Sequence, residues 1–543
     1  MSKLCKKTTG RFFLYVFILN LLSNYVYLKV DNSLFAYVCI FCLSAFVAFV
    51  EYTLYLCLPT LWLKKTLAIA LIFLHNILLI CDFFLLSKFQ MVFGQDAVDI
   101  LAETNHLEIA NFFQTYITPN LLVFYCILIF LLNLLVYFAV KFLVGFNHLR
   151  IGLSCLAIFG FCIILLSFYH LKKYGDGMSI PQYTSITRCG YALYVMKGRK
   201  VEIQEVKNVC KNLLVRQTLS DRPTIVVVVG ESFSIYHSSL YGYKKMTNPL
   251  LMEYKNEGSL FLFDNVVSLY DFTHGSLRAA FSLDSLGIDY VSQPLFPACF
   301  KAAKYRTYMY DNQYLVGAGI TFLCDKELSE AIFDYRNKER FQYDGMMVDD
   351  VQVSDSVSFY VIHLFGQHYY YSQRYPKCFS KFNANDYDYK YTQKQRQIMA
   401  DYDNATLYND YVIDKILKKF TDKYCCVFYF SDHGEEVYEL RDYMGHCSAE
   451  RSPNLNYQIR VPLMVWLSPS FYAKNGQLVE ALHEAEHYPI CTDDIGHSII
   501  DVAGIDTKNF APTRSFVNKL FKKNRHRIVL NHINYDKEWM NKR

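Results

Sequence analysis

Hydrophobic and polar positions divide this chain into two unlike parts. From residue 12 to about 170 it is dominated by Leu, Phe, Ile, Val and Tyr, and charges concentrate after about residue 171. A helix crossing a bilayer needs roughly 20 apolar residues, because ~1.5 Å of rise per residue must cover ~30 Å of hydrocarbon. Five stretches meet that need, at about 12–29, 34–57, 66–87, 119–140 and 151–170. Lys3, Lys6, Lys7 and Arg11 ahead of the first would also suit a signal peptide. No small-residue cleavage site follows and further spans do, so an uncleaved anchor is expected. The N-terminal tail and the turns at 58–65 and 141–150 hold eight Lys or Arg, against only Lys29 and Lys88 in the loops on the other side. This bias predicts a cytoplasmic N-terminus, and five crossings then put everything after residue 171 outside the cytoplasm.

Three further features stand out in the apolar part. Glu51 and Asp82 fall inside apolar segments, where an ionisable group is costly; pairing with another helix is the plainer expectation and a functional role the alternative. In the 89–118 loop, which has no Lys or Arg, apolar residues recur at three- and four-residue spacing. One or two amphipathic helices on the outer membrane surface are expected there, packing under the following domain or touching substrate.

From about residue 222 the pattern changes. Residues 224–229, 358–363 and 425–430 are nearly continuous apolar runs of the kind found in buried parallel strands, with further strands expected at 305–310 and 461–466. Helical patterns intervene at 274–285, about 395–420 and 492–503. This alternation predicts an α/β sandwich, in which ligands bind beyond the carboxyl ends of the strands. Polar residues stand at those ends: Glu231 after the first run, His363 and His368 at the second, and Asp432-His433 after the third. Carboxylate and imidazole ligands on separate strand ends suit zinc. Thr273 precedes the helical run His274-Gly275-Ser276-Leu277-Arg278 and is expected at its N-cap. There its hydroxyl would also lie where a helix N-terminus favours an anion, and a zinc-activated threonine is a candidate nucleophile.

These residues form part of a longer ordered series. It runs from Gly230-Glu231-Ser232 through Ser239-Leu240-Tyr241-Gly242-Tyr243 and Thr247-Asn248-Pro249 to Asp311-Asn312. His363-Leu364-Phe365-Gly366-Gln367-His368, Tyr402-Asp403-Asn404, Ser431-Asp432-His433-Gly434-Glu435, Gly445-His446 and Val461-Pro462 follow, and Glu103-Thr104-Asn105 with Glu108 and Phe112-Phe113 lies in the long loop. The series resembles the bacterial phosphoethanolamine transferases of the alkaline phosphatase and sulfatase superfamily. The resemblance covers nearly the whole chain and implies a five-span helical membrane domain followed by a sulfatase-like α/β domain. The expected boundaries are 1–170 for the membrane domain, 171–221 for a bridging segment and 222–543 for a periplasmic catalytic domain at the bacterial inner membrane.

By the same resemblance, Glu231, Thr273, Asp432 and His433 are zinc ligands, with Thr273 the nucleophile. His368 and His446 contact the phosphoryl group or a second zinc ion, His446 is a candidate general acid or base, and Asn105 and Glu108 lie near the donor headgroup. The implied donor is phosphatidylethanolamine and the implied acceptor lipid A or core lipopolysaccharide, with diacylglycerol released and a monomer expected. Such a transfer would lower the negative surface charge that attracts cationic peptides. Two departures bear on the acceptor. The run Leu269-Tyr270-Asp271-Phe272-Thr273 lacks the cysteine that many lipid A-modifying members carry. Gln313-Tyr314-Leu315-Val316-Gly317 lacks the serine and lysine of their Ser-Gly-Cys-Lys stretch.

A formal charge of +5 over 543 residues with no basic block argues against nucleic-acid binding. The absence of a C/S-x-P-x-R segment argues against a formylglycine sulfatase, while a phosphodiesterase-type hydrolase and a phosphoglycerol transferase stay as alternatives. A non-catalytic scaffold would be expected to lose metal ligands, and all four are present. Of 17 cysteines, eight lie at or before residue 162 and nine after it. Cys299 and Cys324, which flank Asp311-Asn312, are the expected disulfide; Cys425 and Cys426 are expected core thiols.

Overall fold

The computed structural model describes residues 3–29, 33–89, 92–95, 97–98, 101, 112–113, 116–143, 147–174, 183–284, 290–314, 322–446 and 455–540. The expected amphipathic helices of the 89–118 loop, with Asn105 and Glu108, lie outside these residues. The chain divides into two compact units, Met1–Arg199 and Lys200–Arg543.

The apolar sequence forms helices α1 (Lys3–Tyr25), α2 (Leu34–Cys57), α3 (Leu61–Phe89), α4 (Pro119–Leu143) and α5 (Asn147–Tyr174), followed by α6 (Ser185–Lys211). Among the described residues, four helical stretches are long and apolar enough to cross a membrane: Arg11–Lys29, Leu34–Cys57, Leu61–Phe89 and Pro119–Leu143. The fifth expected span is the helix α5, whose apolar stretch among the described residues is the shorter Leu153–Ser167. It packs closely on α2 at Gly160, where a Cβ would fall 2.3 Å from the Cys42 carbonyl oxygen, so only glycine fits this crossing.

Both acidic residues of the apolar helices are paired. Glu51 Oε1 lies 2.8 Å from His75 Nε2, and its Oε2 accepts from Asn20 Nδ2 at 3.1 Å, joining α1, α2 and α3. Asp82 bonds Arg188 and accepts from Ser185 Oγ at 2.7 Å and from the Phe93 amide at 2.7 Å. Where no water competes, such contacts replace the solvation each group has lost.

In the second unit, seven strands form one mixed sheet: β1 (Thr224–Gly230), β2 (Leu260–Phe263), β3 (Arg306–Asp311), β4 (Tyr335–Arg336), β5 (Ser358–His363), β6 (Cys425–Ser431) and β7 (Leu463–Leu467), in the order β2-β7-β6-β1-β5-β3-β4. β1 lies between β6 and β5 and is parallel to both, while β7 runs antiparallel to β6. The two faces are buried against separate cores. Ile225, Val227 and Val229 enter one and Val226 and Val228 the other, which is why β1 reads as an unbroken apolar run. Helices α7 (Thr273–Phe281) and α8 (Gln393–Phe420) complete the parts that bear on function.

The cysteines correct one expectation. No disulfide joins Cys299 to Cys324. Cys299 is turned into the apolar core near Cys210, and burial pushes both thiols up, Cys210 to about 11. Cys425 and Cys426 are buried on β6 as core thiols.

Candidate active site

Parallel pairing in register brings the polar strand ends together. Gly230 pairs with Ser431 and Val229 with His363, so Glu231, Asp432 and His433 leave the sheet on the same edge. All three are fully buried. The chain turns sharply there: Ser232 has φ 55°, a left-handed conformation that costs free energy outside glycine. That turn is held by its own contacts, since the Ser232 amide donates to Asp432 Oδ1 at 3.1 Å and its hydroxyl to Glu231 Oε1 at 2.7 Å. Gly366, with φ +47°, seals the other side; a Cβ there would fall 2.8 Å from the Glu231 carbonyl oxygen.

Thr273 completes the group from α7. It is the first helical residue and Phe272 the N-cap, so the sequence expectation is one position off, and no side chain caps this helix end. The Thr273 hydroxyl serves the site: Oγ1 donates to Glu231 Oε2 at 3.2 Å and lies 3.4 Å from His433 Nε2. His433 Nε2 is also 3.3 Å from Glu231 Oε1 and 3.3 Å from Asp432 Oδ2. The other ring nitrogen, Nδ1, is 2.8 Å from the Gly434 carbonyl oxygen, which can only accept; Nδ1 therefore carries the proton.

This donor set fits a zinc ion. Asp432 Oδ2 is a buried acceptor within ion-pair reach of His433 but hydrogen-bonded to nothing among the described residues. Burial raises the Asp432 pKa, and the Glu231 charge raises it further, to about 7. Burial would lower that of His433, but Asp432 and Glu231 push it up to about 10. Two carboxylates packed this closely need a compensating positive charge. A dication would supply it and leave His433 Nε2 as a ligand, in an all-N/O set of the kind zinc accepts.

His446 lies beside this cluster, its ring 4.1 Å from that of His433. The buried Glu435 lies 2.7 Å from His446 Nδ1 through one oxygen and accepts from Tyr371 Oη through the other, which fixes the orientation of the His446 ring. His368 lies tilted against Phe365, ring centroids 5.1 Å apart; burial would raise the Glu231 pKa, but His433 and then His368 hold it well below the usual carboxylate range. If His446 moves the proton in both half-reactions, His446→Ala should slow formation and discharge of the covalent adduct, each roughly 10²–10⁴-fold. Rapid-quench measurement of the two half-reactions checks this, and wild-type rates for both would refute it.

Some contributors gave little signal in the sequence. Gln313 donates from Nε2 to Glu231 Oε2 at 2.9 Å, and His363 meets Asp311 through Nδ1 at 3.1 Å while its Nε2 lies 3.2 Å from Gln313 Nε2. A second acidic cluster, Cys491, Asp493 and Asp494, is already neutralised: Arg514 lies 2.7 Å from Asp493 and 2.6 Å from Asp494, and Arg525 is 2.8 Å from Asp493.

A family model for sulfatases matches residues 223–505, more than half of the chain and all seven strands of the sheet. The chain belongs to the sulfatase family. Among curated relatives, the phosphoethanolamine transferase EptC of Escherichia coli O18:K1:H7 is 31% identical over 314 residues, 55% of this chain and 54% of that protein. The match therefore spans about half the length of that relative. The zinc complex of the C-terminal periplasmic domain of EptC from Escherichia coli is 29% identical, with a TM-score of 0.52, over 60% of this chain and 94% of that one. The integral membrane lipooligosaccharide phosphoethanolamine transferase A from Neisseria meningitidis shares the fold over 93% of this chain and 97% of its own, with a TM-score of 0.61 at 18% identity. Helical membrane-type segments followed by a sulfatase-like α/β domain thus recur together in a solved fold.

Proposed function

We propose that this protein is a zinc-dependent phosphoethanolamine transferase of the bacterial inner membrane. It takes phosphoethanolamine from phosphatidylethanolamine and passes it, through a covalent ester on Thr273, to a phosphate or sugar of lipopolysaccharide. The observation that carries this reading is the Thr273 hydroxyl held between Glu231 and His433 at 3.2 and 3.4 Å. The relatives' names supply the transferred group, and the apolar helices favour a lipid donor. Residues 1–170 would form the membrane domain, 171–221 a bridge and 222–543 the periplasmic catalytic domain, with the N-terminus cytoplasmic and the chain monomeric.

Glu231, Asp432, His433 and Thr273 Oγ1 would hold the zinc, which when bound supplies Lewis-acid stabilisation of the threonine alkoxide and the phosphoryl oxygens. Thr273 gives up its proton along the hydrogen bond to Glu231. Oγ1 forms a bond to the donor phosphorus, and the bond from phosphorus to the diacylglycerol oxygen breaks. His446, oriented by Glu435, protonates that leaving oxygen and then takes the proton of the acceptor hydroxyl, which attacks phosphorus and frees Thr273. In this reading His368 would contact the phosphoryl group.

Mass spectrometry of lipid A and core from cells expressing the intact protein or Thr273→Ala tests this. A phosphoethanolamine addition found only with the intact threonine is the expected result. No addition to either fraction, with the protein folded and zinc-loaded, would overturn the acceptor assignment.

A further inference from the structure

Gln313 follows directly on β3, and its buried carboxamide reaches across to the end of β1. Nε2 donates to Glu231 Oε2 at 2.9 Å and to the Leu364 carbonyl oxygen at 2.8 Å. Both of these partners only accept, so the amide must present its NH₂ to them; Nε2 also lies 3.2 Å from His363 Nε2. The backbone is fixed as well: the Gln313 amide donates to Asp311 Oδ1 at 2.9 Å, and Asp311 is held by Arg336 at 2.7 Å and by His363 at 3.1 Å. This anchor ties three adjacent strand ends, β3, β5 and β1, to one carboxylate oxygen.

That oxygen is also the one that accepts from Thr273. Glu231 Oε1 is occupied separately by the Ser232 hydroxyl at 2.7 Å, so the two oxygens are held by different neighbours. Without Gln313, Oε2 keeps only the 3.2 Å contact to Thr273 among the described hydrogen bonds, and the carboxylate is held chiefly through Oε1. We propose that Gln313 is a positioning residue that fixes the orientation of the Glu231 carboxylate for metal binding. This inference rests on the zinc-site reading above. An outer partner of a metal ligand typically sets affinity by about 10–100-fold. Glutamine suits the place by its donors as well as its size, since a glutamate would set acceptor against acceptor at Glu231 and Leu364.

The test is the zinc dissociation constant of the full-length protein, measured by competition with a chromogenic chelator, for the wild type, Gln313→Met, Gln313→Glu and Glu231→Gln. The melting temperature of each metal-free form is recorded alongside. Gln313→Met keeps the length and removes the donors, and should raise the zinc Kd roughly 10–100-fold with little change in metal-free melting. Gln313→Glu should raise it at least as far and carries the test alone if the methionine variant does not fold. A methionine variant that binds zinc within about twofold of wild type overturns the inference, whatever its melting temperature. A wild type that binds no zinc, or whose affinity Glu231→Gln leaves unchanged, overturns the zinc-site reading itself.

Discussion

Thr273→Ala is expected to lower transfer by on the order of 10⁴ or more, while the protein stays folded and still binds zinc, less tightly, through Glu231, Asp432 and His433. The size of the effect follows from role, because the alanine removes the oxygen that forms the phosphoryl ester. Retention of the fold follows from the local structure. Thr273 does not cap α7, and its side chain makes only the 3.2 and 3.4 Å contacts to Glu231 and His433. Thr273→Ser keeps the nucleophilic oxygen and should recover part of the activity. Release of diacylglycerol from labelled phosphatidylethanolamine vesicles measures both variants; an alanine variant within tenfold of wild type would remove Thr273 from the chemistry.

His237→Leu is expected to have the largest effect on stability, roughly 3–5 kcal/mol, because it strands a buried carboxylate. His237 Nδ1 lies 2.6 Å from the fully buried Asp403, and Nε2 lies 3.3 Å from Glu439. Tyr243 and Tyr387 also donate to Asp403. The cluster joins the segment after β1 to α8 and to the loop before His446, so it holds three parts of the site in place. Burial alone would lower the His237 pKa, but Asp403 and then Glu439 push it from 6.5 to about 10. A raised histidine stabilises fully below its unfolded value, and that contribution is lost as pH rises through the folded one. The wild type should therefore lose a share of its stability between pH 6.5 and about 10 that His237→Leu does not. Melting temperatures of both across that range test it, and parallel curves would show that His237 is neutral in the fold.

Much of this was legible in the sequence, for physical reasons. A strand buried on both faces must be apolar throughout, so β1, β5 and β6 announce themselves, and the first polar residues beyond them mark the edge where ligands gather. The apolar helices are legible because a bilayer tolerates little else. What sequence spacing does not carry is the direction of a side chain. His363 and His368 stand five positions apart at the end of one strand, yet His363 is turned to Asp311 while His368 helps to lower the Glu231 pKa. Gln313 was unremarkable because its role depends on a neighbour 82 positions away. Cys299 and Cys324 flank one strand in sequence, but Cys299 belongs to the apolar core beside Cys210. Asp82 could not be paired in advance, since its partner Arg188 comes from a helix 106 positions later.

The central claim is a covalent phosphoryl ester on one threonine. Peptide mapping by mass spectrometry, after brief incubation of the zinc-loaded protein with phosphatidylethanolamine vesicles and no acceptor, tests it most directly. The account predicts a phosphoethanolamine adduct on Thr273, formed together with diacylglycerol. Diacylglycerol release with an unmodified Thr273, or an adduct on another residue, would contradict it.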